Sequence, residues 1–177
     1  MTLSSVSDIF FCLKFAISEY ILTVTVKERV CSATLSIGGR DMLNLSGKTA
    51  FVFGVASEDS IAWAICKMLA ESGVTLYLGY QKRFRSRVFQ LKDKLPQIGG
   101  FYPLDVAQDA TTKEFFDAFS ADNPGKKADI LIHAIGFAPR TCFDRPILFV
   151  EDQDINTAMT ISANSLQRCL KFALPYL

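Results

Sequence analysis

Between an apolar run ending at Gly54 and an amphipathic stretch opening at Ser60 lies the segment Gly54-Val55-Ala56-Ser57-Glu58-Asp59-Ser60-Ile61-Ala62. A strand, a tight turn and a helix N-terminus in that order can hold a phosphate group. Glycine lets the backbone come close, and the first-turn amides and the helix dipole face the negative charge. Gly54 can make the turn, and Ser60 can cap the helix while offering its hydroxyl and backbone N–H to a phosphate oxygen. The later glycines of the usual G-x-G-x-x-G pattern are replaced by residues with side chains. Taken alone, the loop is equally compatible with an ordinary strand–turn–helix.

Three more places carry usable chemistry. Gln81 follows a second apolar run and precedes the basic cluster Lys82, Arg83, Arg85 and Arg87. An acidic residue at such a position bonds the ribose hydroxyls of NAD, and an arginine favours the extra phosphate of NADP. Neutral Gln81 favours NADH, although Lys82 and Arg83 leave room for NADPH. The cluster reads either as a solvated helix start or as a phosphate contact. Asp105-Val106 follows a third run, where the carboxylate either caps a turn or meets a ligand. Ile135-Gly136 follows a fourth, and apolar Val106 and Ile135 also read as plain core.

His133 is the sole histidine, so neither a Ser-His-Asp triad nor a histidine-based metal cluster can be assembled. The five cysteines, an odd number without C-x-x-C spacing, argue against a disulfide framework or a zinc site and favour a reducing cytoplasm. With 19 basic and 18 acidic residues the net charge is +1, which gives no reason to expect a nucleic-acid or membrane-surface partner.

The elements that must position these groups follow from periodicity. Thr49–Gly54, Val74–Leu78, Gly100–Leu104 and Asp129–Ile135 predict strands, the last apolar on both faces as in a buried parallel sheet. Ser60–Ser72, with Gly73 to end it, Arg85–Leu95, halted by Pro96, Thr111–Phe119 and Asp152–Phe172 predict helices. Alternating strands and helices indicate an α/β fold with a doubly wound parallel sheet, Rossmann-like and reaching only its fourth β/α unit. In that order the Asp129–Ile135 strand lies at an edge, where uncovered backbone and apolar side chains invite self-association.

Gly-Val-Ala-Ser-x-x-Ser-Ile-Ala-Trp at 54–63 resembles the loop of the enoyl-acyl-carrier-protein reductases, a divergent branch of the short-chain dehydrogenase/reductases. Gly79-Tyr80-Gln81, Leu104-Asp105-Val106, His133 to Pro139 and Ile161 to Ser165 agree with that family in order and approximate spacing, and the likeness covers residues 42–177. It implies a cofactor pocket in which Gly54, Ser60 and Ile61 face the pyrophosphate. Gln81 would lie by the adenosine ribose, Asp105 and Val106 by adenine, Ile135 and Gly136 by the nicotinamide ribose, and Ala138 at the mouth of the acyl pocket. The implied reaction is NADH-dependent reduction of a trans-2-enoyl thioester carried on acyl carrier protein, in an enzyme expected to be a homo-oligomer.

The family's catalytic tyrosine and lysine are expected beyond Leu177, so residues 1–177 alone are expected to be inactive. The alternatives are a non-catalytic dinucleotide-binding module and a truncated gene product. Residues 1–41 form a separate region, and Met42 resembles a natural start. The region reads as translated upstream sequence, a targeting extension or a structural addition. Its apolar stretches, broken by Lys14 and Glu19, fall short of the roughly 18 residues a spanning helix needs. No positive charge precedes them, as a secretory signal requires, and Asp8, Glu19 and Glu28 are too many acids for an organelle transit peptide.

Overall fold

The computed structural model describes residues 45–177 and the backbone of 23–26. Met42, Cys12, Cys31 and the rest of the N-terminal region lie outside the described residues. The strands are β1 (Thr23–Val26), β2 (Thr49–Phe53), β3 (Thr75–Tyr80), β4 (Ile98–Pro103) and β5 (Ile130–His133). The α-helices are α1 (Ile61–Glu71), α2 (Arg85–Phe89), α3 (Asp109–Asp122), α4 (Asp152–Met159) and α5 (Ser165–Ala173).

The sheet order is β1-β5-β2-β3-β4. Strands β2 to β5 are parallel to one another, the doubly wound arrangement expected from the alternation of elements. The expectation that the fourth of them lies at an edge does not hold. β1 pairs antiparallel with β5, Val24 opposite Ile132 and Thr25 opposite Leu131, so β5 has a neighbour on each side.

Because successive strand side chains point to opposite faces, β2 feeds two cores. Ala50 and Val52 meet Trp63, Cys66, Leu76, Leu78, Ile130 and Ile132 on the α1 face. Phe51 and Phe53 join Tyr77, Tyr102, Leu131 and the α3 phenylalanines on the other. There Phe51 makes edge contacts with Phe115, Phe116 and Phe119 at centroid separations of 5.7, 5.4 and 4.8 Å. That geometry adds about 0.5–1.5 kcal/mol per pair beyond area burial.

Two helices are less regular than their periodicity suggests. The stretch expected as one helix over Arg85–Leu95 is a single α turn flanked by 3-10 turns at Lys82–Phe84 and Lys92–Lys94. Only Val88 and Leu91 are buried there, too narrow a stripe to anchor a long helix. The last helix is interrupted by a π turn, Thr160–Asn164, between α4 and α5. Gly73 ends α1 at φ +80°, as its position predicts.

Candidate functional site

The strand order reverses at β2, which has β3 on one side and β5 on the other. In an open parallel sheet the crevice beyond the strand C-termini at such a point is where ligands sit. Gly54 stands there at φ +102°, and a Cβ on it would lie 2.0 Å from the Ala134 carbonyl oxygen and 3.4 Å from Ile135 Cγ1. No side chain fits, so the turn depends on glycine and brings Gly54 and Ile135 together.

Ser60 caps α1: its Oγ accepts from the Trp63 amide at 3.3 Å. Its own donors are engaged, the hydroxyl donating to the Ser57 carbonyl at 2.7 Å and the amide to the same oxygen at 3.2 Å. The first-turn amides left for an anion are those of Ile61 and Ala62, which have no carbonyl one turn back. Ile61 is half exposed at the crevice. Glu58 would put a negative charge into this loop, but Lys94 bonds it and holds its carboxyl below the usual range. Sequence spacing gave no sign of Lys94, which reaches back across 36 residues.

A cavity of about 390 Å³ opens between the β3 and β4 ends, lined by Gln81, Lys82, Arg83, Leu104, Asp105 and Thr111 among others. The two expected adenosine-side residues therefore share one wall-to-wall space. Asp105 Oδ1 accepts from the Ala107 amide at 3.1 Å, the turn-capping role its type suggested. Among the described residues its Oδ2 makes no hydrogen bond, so one oxygen holds the turn and the other is free to accept a further bond. Val106 is buried among the α3 phenylalanines, so its side chain is core. Its carbonyl accepts from Arg168 of α5.

On the β5 side Ile135 is half-buried against the same core, and Gly136 is exposed with open space around it. Ser162, in the π turn, ties down the next residue: it donates to the Phe137 carbonyl and accepts from the Phe137 amide, both at 2.9 Å. That clasp places half-buried Ala138 beside the last helical segment, away from the Gln81–Asp105 cavity. His133 is buried and structural. Ser165 Oγ gives its proton to the Ile161 carbonyl at 2.6 Å, so it accepts from His133 Nε2–H at 2.8 Å. Burial pushes the imidazole below its ordinary value of 6.5.

Two of the described tyrosines lie at the far end of the sheet, while Tyr80, the last residue of β3, is buried. Tyr176 stacks on Phe116 at 5.6 Å, and its carbonyl accepts from Ala128 just ahead of β5, at the opposite end of the sheet. Tyr77 Oη accepts from Lys126 at 2.9 Å and donates to Asn123, again at that far end. Among the described residues no group of three His, Cys, Asp or Glu side chains is placed to hold a metal ion, and no helix is long and apolar enough to cross a membrane.

Residues 54–177 match the family model for enoyl-(acyl carrier protein) reductase. The chain belongs to that family. It is 35% identical over 139 residues to the NADH-dependent enoyl-[acyl-carrier-protein] reductase FabI of Synechocystis, covering 76% of this chain and 52% of the relative. Among solved structures it resembles the Aquifex aeolicus enoyl-[acyl-carrier-protein] reductase (NADH), with TM-score 0.69, 30% identity, and 76% and 57% of the two chains covered. It resembles equally the Bacillus cereus reductase solved with NADP+ and an indole naphthyridinone, at TM-score 0.69, 30% identity, and 77% and 53% coverage. The chain thus spans about half the length of the curated relatives it matches.

Proposed function

We propose that this chain is the dinucleotide-binding half of an enoyl-acyl-carrier-protein reductase of fatty-acid elongation, using NADH in preference to NADPH. The observation that carries the reading is the Gly54 turn at the strand-order reversal, bonded to β3, the strand whose end opens into the Gln81–Asp105 cavity. The residues fit a dinucleotide: a tight turn that only glycine allows at the strand-order reversal, first-turn amides for pyrophosphate, and a carboxylate oxygen left over for an exocyclic amine. When bound, the nicotinamide supplies a hydride for the β-carbon of the enoyl thioester. The chain's own residues orient it. The Ile61 and Ala62 amides hold negative charge, Gln81 bonds ribose hydroxyls, Asp105 and Val106 frame adenine, and Ile135 and Gly136 border the nicotinamide ribose. Ala138, fixed through Phe137 by Ser162, borders the acyl chain.

The tyrosine–lysine pair that the reaction needs is not at this crevice among the described residues, so residues 1–177 assayed alone are expected to bind without turnover. The non-catalytic binding module remains the second reading, since the same geometry favours it. The substrate is an enoyl thioester on acyl carrier protein, and the place of action is the cytoplasm. A domain boundary near residue 42 separates the extension from the nucleotide-binding part. Exposed Phe143, Ile147, Leu148 and Phe149 support self-association of the complete enzyme. The test is titration of the 177-residue chain with NADH and NADPH, alongside an absorbance assay with a crotonyl thioester. We expect tighter NADH binding, no substrate-dependent loss of NADH, and a shift toward NADPH in Gln81→Arg. Sustained turnover would sink the inactivity, and an unchanged cofactor ratio in the variant would sink the ribose assignment.

A further inference from the structure

Asp105 lines the Gln81 cavity, and the short segment from it to Gln108 leads directly into α3. Most of its restraints are local: Ala107 to Asp105 Oδ1, Gln108 to the Asp105 carbonyl at 3.3 Å, and Thr111 Oγ1 to the same carbonyl at 2.6 Å. One restraint comes from far along the chain. Arg168, on α5, donates through its terminal nitrogen to the Val106 carbonyl and through Nε to Asp109 Oδ1 at 2.6 Å. Its side chain is only 22% exposed, against 61% for Lys171, which reaches the other Asp109 oxygen at 3.2 Å. A planar guanidinium presents its donors in a rigid fork that meets two acceptors in fixed directions, whereas an ammonium is a point charge with freely rotating donors. Gln108, the residue before α3, supplies no side-chain cap, so the Asp109 carboxylate is what favours the helix start electrostatically, and Arg168 and Lys171 hold that carboxylate in place.

We propose that Arg168 is a positioning residue for the adenine end of the cofactor site. It does not line the cavity. It holds the Val106 carbonyl from behind, and thereby sets the direction in which the free Asp105 oxygen points. The guanidinium bridges the loop and the first residue of α3 at once, so α5 and the cavity wall move as one body. This deepens the functional reading above and rests on it. A purely structural salt bridge would add stability without favouring one end of a ligand; a positioning role touches the adenine end alone.

The test uses the whole chain and two probes, ADP and nicotinamide mononucleotide, with backbone amide exchange read separately. In Arg168→Met the apolar stem is kept and both donors are lost. ADP affinity is expected to fall about tenfold, nicotinamide mononucleotide affinity to stay unchanged, and the Ala107 and Gln108 amides to exchange faster. Arg168→Lys is expected to restore little, because one ammonium cannot reach both acceptors in the same geometry. Lys171→Ala, which leaves the Val106 contact intact, is expected to bind ADP as wild type does. Unchanged exchange at 107–108 in Arg168→Met overturns the positioning role. Faster exchange with unchanged ADP affinity also overturns it while leaving the cofactor site standing. Equal losses for both probes reduce Arg168 to general stability, and failure of wild type to bind ADP removes the cofactor reading itself.

Discussion

Asp105 does two things with two oxygens, and a single substitution confuses them. Oδ1 closes the turn onto the Ala107 amide, and in the proposed site Oδ2 accepts from the adenine amine. Asp105→Ala is expected to weaken NADH binding by about 1–3 kcal/mol, the range for stranding a hydrogen-bond partner. Asp105→Asn keeps an acceptor for the turn but replaces the other oxygen with an amide that repels an exocyclic amine. Its affinity should therefore match the alanine variant; calorimetry giving Asn wild-type affinity would assign Asp105 to the turn alone. Residue type made the turn cap legible here, whereas a ligand role for the same carboxylate came only from the family resemblance. Lys94 and Arg168 were not legible, since each acts across 36 or more residues and no spacing along the chain connects them to Glu58 or Val106. Ser60 was legible as a cap, whereas the engagement of both its donors by Ser57 depends on the shape of the turn.

At the scale of elements, β5 and the last helical segments are joined by His133 and Ser165. The imidazole is neutral and donates, and burial lowers its affinity for a proton in the folded state. The unfolded chain binds the proton more readily. Stability from this site is therefore complete above the ordinary value of 6.5 and is lost as pH falls from there through the lower folded value. Thermal midpoints are expected to decline below that pH in wild type and to decline less in His133→Gln, whose amide can still donate to Ser165. Parallel pH profiles for the two proteins would exclude the linkage. The strands and α1 and α3 were readable from periodicity because each buries a continuous apolar face. The Arg85–Leu95 stretch was overread as one helix, since its charged residues satisfy helix propensity without supplying a core stripe. The π turn left no periodic trace; it coincides with the contacts of Ser162 with Phe137 and of Ser165 with His133, which are tertiary.

Across the whole molecule the sheet has one more strand than its α/β repeats supply. Thr-Val-Thr-Val at 23–26 alternates β-branched residues, a strand signal that was hidden within a longer apolar stretch. Its pairing covers the β5 backbone edge, so β5 offers no free edge to another chain while β1 stays in place. Val24→Pro deletes an amide from that strand and is expected to speed exchange in Ile130–His133 and to increase self-association by sedimentation. Unchanged exchange would mean that β1 does not protect the edge. The larger claim is that one continuous dinucleotide site runs from the β3–β4 cavity to the β2–β5 crevice. It is tested most directly by following backbone amide resonances of the 177-residue chain during an NADH titration. The account predicts saturable shifts at Gly54, Ile61, Ala62, Gln81, Asp105, Val106, Ile135 and Gly136, with the Tyr77–Lys126 end of the sheet unmoved. Shifts confined to that far end, or none at all in folded protein, would contradict it.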